Sequence, residues 1–180
     1  MSFGFPCGIR IIWDQITLAT QKDILVFAAA SNDGLDQSRM YPASQDSVFA
    51  IHSTTCKGVA SGFNPPEERD ENFSILGEYV ESAWLTKDEG SGSTRILSGT
   101  SFATPIAVCL AAFMILYIPT IIPEHGNLLH NVKSYVGMKR VFQTMVVDRS
   151  AKYQYISLRK FVSENNQSEI NNAIKKALSR

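Results

Sequence analysis

Net charge is missing from this chain: 17 lysines and arginines balance 17 aspartates and glutamates over 180 residues. Without a global cationic field, nothing in the composition points to nucleic acid as a partner. Cysteine is scarce. Cys7, Cys56 and Cys109 are odd in number, far apart and outside any Cys-x-x-Cys pairing, which excludes a zinc cage and a closed disulfide framework and favours reduced thiols in an intracellular compartment. The acidic stretch 67–71 lacks the alternating ligands of a calcium loop, so no metal and no cofactor is expected. Met1 is followed by Ser-Phe-Gly-Phe-Pro-Cys-Gly, which has neither the basic start nor the apolar core of a leader; the chain reads as if it begins inside a fold. No apolar run reaches the roughly 20 residues of a membrane span. The longest, residues 106–118, lies between Pro105 and Pro119, is read as a buried central helix, and carries no expectation of a membrane partner. Internal repeats and low-complexity tracts are also absent.

The balance of charge conceals a segregation. Residues 1–132 carry 7 basic and 14 acidic side chains, and residues 133–180 carry 10 basic and 3 acidic. Along the acidic part, Ile9, Ile12, Trp13, Ile16 and Ala19 predict a helix over 9–21 with one buried face. Residues 24–30 and 47–53 are continuous apolar runs of strand length, as expected of parallel strands covered on both faces. Together they predict an α/β fold with a parallel sheet, whose ligands collect at the C-terminal ends of the strands. Residues 60–72 read as a solvated loop and 88–93 as a turn. Past Pro123, short amphipathic helices are expected over 127–138 and 139–147, an edge strand over 153–158 and a charged helix over 169–178. The basic end reads as a solvated helical face.

Two segments carry chemistry. Ser98-Gly99-Thr100-Ser101-Phe102-Ala103-Thr104-Pro105 delivers a serine to the start of the most apolar helix, where the first backbone N–H groups lack internal partners and suit a developing oxyanion. Pro105 fits a first helical turn, which does not need its N–H. A serine at this place is most often simply a cap. Ala28-Ala29-Ala30-Ser31-Asn32-Asp33-Gly34 presents a carboxamide at a strand end, able to donate to an oxyanion without bringing charge; a plain Asn-Asp-Gly turn would also explain it.

Taken together, these segments resemble the subtilisin-like serine proteases, the subtilase family. Gly99-Thr100-Ser101-Phe102-Ala103-Thr104-Pro105 looks like the family's nucleophile motif, and residues 28–34 look like its oxyanion-hole strand with Asn32 at the Asn position. Met1-Ser2-Phe3-Gly4 resembles the substrate-binding strand; Tyr41-Pro42-Ala43 and Asn72-Phe73-Ser74 with Gly77 also fit, so that the likeness spans about residues 1–118. The resemblance implies a three-layer parallel-sheet subtilisin-like fold and peptide hydrolysis through an acyl-enzyme on Ser101. It implies an oxyanion hole from Asn32 and the Ser101 N–H, and a substrate site walled by Ser2, Phe3, Gly4, Ala29, Ala30 and Ser31. The expected ligand is a polypeptide substrate or extended peptide.

The departures are equally specific. The family's Asp and His motifs precede the substrate-binding strand and have no counterpart in this chain. His52, His125 and His130 are its only histidines and match no triad motif; Asp14 and Asp33 match none either. Ser31 stands where the family usually has Gly, and Ile106 where it often has His. The sequence therefore reads as an N-terminally incomplete catalytic domain: residues 1–147 as its C-terminal part and 148–180 as an edge strand with a basic helical extension. Its triad would be completed by a missing N-terminal segment, and the isolated chain is expected to be nearly inactive and poorly soluble. The competing reading is a non-catalytic module that binds extended peptides or a partner. Location is open, since the family includes secreted and intracellular members.

Overall fold

The architecture follows from where apolar residues run without interruption. The computed structural model describes residues 1–68, 72–84, 93–122, 126–148 and 151–179. After helix α1 (Arg10–Gln21), strand β1 (Val26–Ala29) and strand β2 (Val48–Thr54) pair in parallel, with Val26 opposite Val48 and Ala29 opposite Ile51. Strand β3 (Phe73–Leu76) extends the sheet, and the two-residue β6 (Gln154–Tyr155) closes its far edge, giving the all-parallel order β1-β2-β3-β6. The expected edge strand over 153–158 is thus shorter, because Ser157 already caps the next helix.

Every residue of β2 is buried, the signature of a strand sandwiched between two layers. Alternation sends Phe49 and Ile51 to one face and Val48 and Ala50 to the other. The first face meets helix α2 (Thr100–Ile121) and helix α4 (Tyr135–Thr144) in the main core; the second meets Ile16 of α1. Ala103, Ala107 and Ala111 recur every fourth residue along α2 and are buried, so the helix backbone lies close to the sheet. Phe27 stacks on Phe49 at 4.7 Å, and Phe142 meets Phe73 edge-on at 5.6 Å. The result is a three-layer α/β/α unit.

Several sequence expectations need correction. Both prolines lie inside α2 rather than bounding it, since the flanking small and apolar residues continue the helix past each. The break predicted after residue 138 falls at Ser134, which caps α4 by accepting the Gly137 N–H, after helix α3 (Gly126–Lys133). An antiparallel hairpin, β4 (Val80–Trp84) with β5 (Ser93–Leu97), and helix α5 (Leu158–Glu164) were not foreseen; both are too short and too polar to show a period. The predicted turn at 88–93 falls outside the described residues except for Ser93, which begins β5. Helix α6 (Gln167–Leu178) starts with a capping box between Asn166 and Glu169 and buries Ile170, Ile174 and Leu178.

Candidate active site

The C-terminal end of β1, the start of α2 and the segment at Ser2 converge on one cleft of about 280 Å³. Ser2, Phe3, Gly4, Ala29 and Ser31 form part of its lining, with Asn32 and Ser101 beside them. Of the residues expected there, only Ala30 stays out: its side chain is fully buried because the strand's alternation turns it inward. Asp33, Met40 and Thr100 also line the cleft and were not singled out as site residues. Asp33 was visible in the sequence as part of the turn, whereas Met40 is placed only by folding.

Local geometry explains why these residue types stand here. Gly99 precedes the helix at φ 158°, and a Cβ on it would come within 3.2 Å of the Asn32 amide nitrogen, so any side chain would crowd the carboxamide. Asn32 Oδ1 accepts the Thr100 N–H at 2.8 Å and the Thr100 hydroxyl at 3.1 Å. That fixes the carboxamide orientation and leaves Nδ2 without an acceptor among the described residues. Phe102 and Ala103 donate their N–H groups to the Gly99 carbonyl at 3.0 and 3.4 Å. In the first turn of α2, the Ser101 N–H is therefore the one without an acceptor among the described residues. Two donors without an acceptor among the described residues, Asn32 Nδ2 and the Ser101 N–H, thus belong to residues that line the same cleft, groups of the kind suited to an oxyanion.

Pro105 contributes in a way the sequence reading placed too early. It is the sixth residue of α2, where it lacks the N–H that would bind the carbonyl four residues back. That carbonyl is Ser101's, and it accepts instead from the Ser2 hydroxyl at 3.2 Å. The Ser101 hydroxyl in turn donates to the Ser2 carbonyl at 3.4 Å. Ser2 is thereby tied to the nucleophile position across 99 residues of sequence. Ser2, Phe3 and Gly4 make no backbone-to-backbone hydrogen bond among the described residues, while Met1 is bridged to β1 through the Ala29 N–H and Phe5 to Tyr41. Held at both ends, this stretch leaves its peptide groups, apart from the Ser2 carbonyl that accepts from Ser101, open for pairing with another extended strand. Gly4 packs so tightly on Met40 that a Cβ would stand 2.5 Å from the Met40 Cβ.

Ser31 sits at φ 152°, a region that favours glycine. Its hydroxyl donates to Asp33 Oδ2 at 2.6 Å and accepts the Asp33 N–H at 3.2 Å, and its carbonyl accepts the Thr100 hydroxyl at 3.1 Å.

Neither described histidine reaches this cleft. His52 lies on the β2 face opposite α2, fully buried, with Nδ1 3.2 Å from the Phe73 carbonyl; burial, reinforced by the Arg39 guanidinium, lowers it to about 3. His130 pairs with Asp23 at 3.4 Å, and Asp23 precedes β1, at the end of the sheet away from Ser101. His125 lies outside the described residues. No cluster of three or more histidine, cysteine, aspartate or glutamate side chains suited to a metal occurs among the described residues.

The subtilase (peptidase S8) family model matches residues 1–162. The minor extracellular protease Epr of Bacillus subtilis strain 168 is 32% identical over 114 residues, covering 63% of this chain and 17% of that protein. The subtilisin-like protease het-Q2 of Podospora anserina is 29% identical over 154 residues, covering 79% of this chain and 41% of that protein. Among solved structures, the protease domain of PatA superposes with a TM-score of 0.70 at 20% identity over 99% of this chain and 58% of its own length. The PatG macrocyclase domain does so with 0.68 at 14%, over 98% of this chain and 50% of its own. The chain thus spans well under two thirds of the relatives it matches.

Proposed function

The chain belongs to the subtilase family, and on that premise we propose that it carries the acyl-transfer half of a serine endopeptidase site. Ser101 Oγ attacks the scissile carbonyl carbon of a polypeptide, and the oxyanion that forms is held by Asn32 Nδ2 and the Ser101 N–H. The amine leaves with a proton, and water then releases the acyl group from Ser101. The substrate runs as an extended strand beside Ser2, Phe3 and Gly4, with Ala29 and Ser31 walling the residue before the cleaved bond. The observation that supports this reading is the meeting of Asn32 and Ser101 in one cleft, with Asn32 Nδ2 and the Ser101 N–H both without an acceptor among the described residues.

The proton acceptor is the part these residues do not supply: the Ser101 hydroxyl donates to a backbone carbonyl, and a serine without a base is a poor nucleophile at neutral pH. We assign the histidine and its orienting carboxylate to polypeptide outside residues 1–180, contributed by an N-terminal segment of the same catalytic domain. That same hydrogen bond to Ser2 favours the second reading, a non-catalytic module that binds extended peptides.

The test compares residues 1–180 with the longest in-frame product that contains them, using a fluorophosphonate probe. A product carrying upstream Asp-x-Gly and His-Gly-Thr-like motifs labels at Ser101, its Ser101→Ala variant does not, and residues 1–180 alone label far more slowly. Equal labelling of the short chain overturns the need for an external base. Failure of the longer product to label favours the binding module.

A further inference from the structure

A second cleft, of about 440 Å³, lies between α4, α5 and α6 and shares no lining residue with the cleft at Ser101. Its size is that of a ligand site rather than a packing defect. On α4, Arg140, Gln143 and Thr144 fall at i, i+3 and i+4 and so present one face; on α6, Ala173, Lys176 and Ala177 do the same. Phe161, 8% exposed, and the two alanines form the apolar floor of the cleft, and Asn165 also lines it. The wall from α6 lies beyond residue 162, where the subtilase match ends.

The rim is cationic and unneutralised. Neither Arg140 nor Lys176 has an ion-pair partner among the described residues. The nearby acids are committed elsewhere: Glu164 pairs with Lys160 at 3.7 Å, and Glu169 closes the capping box of α6. Asn165 donates its Nδ2 to the Phe161 carbonyl at 2.7 Å, which leaves its oxygen to accept. The Thr144 hydroxyl donates to the Val141 carbonyl at 2.7 Å and keeps its lone pairs, so that it and the Asn165 carboxamide oxygen are both acceptors for peptide N–H groups. Two cations suit carboxylates, and the floor takes an apolar side chain.

We propose that this cleft is a second polypeptide-binding site, which takes an acidic segment with a carboxylate side chain next to an apolar one. The site is independent of the reaction assigned to Ser101.

The test uses residues 1–180 bearing Ser101→Ala and a fluorescein-labelled decapeptide of alternating Leu and Glu, read by fluorescence anisotropy. The Arg140→Gln/Lys176→Gln variant binds roughly tenfold more weakly, the sum expected of two partly exposed charge contacts. Lys22→Gln/Lys57→Gln, which removes the same charge elsewhere, leaves binding unchanged. Ala177→Phe fills the floor and weakens binding as strongly with the charge intact. The proposal falls if the peptide does not bind, if both double variants weaken it equally, or if Ala177→Phe, shown folded by its thermal melt, binds like the parent. Displacement of the peptide by an equal concentration of a short single-stranded oligonucleotide would assign the face to nucleic acid and overturn it too.

Discussion

At Asn32 one carboxamide performs two tasks through two different atoms. Its oxygen fixes the start of α2 through Thr100, and its nitrogen has no acceptor among the described residues, in a residue that lines the cleft. Asn32→Asp separates them, because a carboxylate still accepts from Thr100 but cannot donate. In a product competent to cleave, this variant is expected to keep its melting temperature and lose roughly 10²- to 10³-fold in kcat, a magnitude taken from loss of the corresponding asparagine in subtilisin. Ser31 presents the opposite case, a residue whose backbone suits glycine better than itself. Ser31→Gly relieves that conformation but loses the hydroxyl's hydrogen bonds with Asp33, so the two effects offset and its stability is expected to stay within about 0.5 kcal/mol of the parent, as read from urea unfolding midpoints. Ser31→Ala keeps the strained φ, loses the hydrogen bonds with Asp33, and is expected to destabilise by about 1 kcal/mol.

At the scale of elements, α2 serves the site at one end and the core along one side. Its length and apolar composition alone would let it cross a membrane, but Ala103, Ala107, Met114 and Ile118 are buried in the core with the sheet residues Phe49, Ile51 and Phe73. Its other side exposes Val108, Phe113 and Leu116, the last 75% exposed, and Val108 lines a surface hollow with Val26 and Phe27 of β1, an edge strand that among the described residues hydrogen-bonds to Met1. An open edge strand beside exposed apolar side chains is an association surface. Residues 1–180 are therefore expected to self-associate at micromolar concentration, and Leu116→Glu to shift them towards monomer in sedimentation velocity while changing stability by no more than about 0.5 kcal/mol. A wild-type chain that sediments as a monomer would refute this.

For the molecule as a whole, the buried His52 makes stability depend on pH. His52 is held at about 3 by burial and by Arg39, below its value of about 6.5 in an unfolded chain. Between those values the unfolded state binds more protons, so stability rises with pH across that window and its full benefit is present above pH 6.5. Lowering the pH from 7 to 5 is expected to cost the wild type about 2 kcal/mol more than a His52→Gln variant. The difference in urea unfolding energies at the two pH values checks this.

What was legible in the sequence was local or periodic. The apolar runs of β1 and β2, the helical spacing of α1 and the contiguous motif around Ser101 depend on neighbours a few residues away, so the α/β class and the family resemblance could be read directly. The hairpin β4–β5 and helix α5 could not, because elements of five to seven residues with mixed polarity carry no period. What only the tertiary structure decided are the long-range meetings. Parallel crossovers bring Ser2 onto Ser101 and Asn32 onto Thr100, alternation along β2 turns His52 to the face away from α2, and the packing of α6 on α4 opens a cationic cleft from two separate helical faces. A period says which face of an element is buried; only the packing of the other elements says what that face meets.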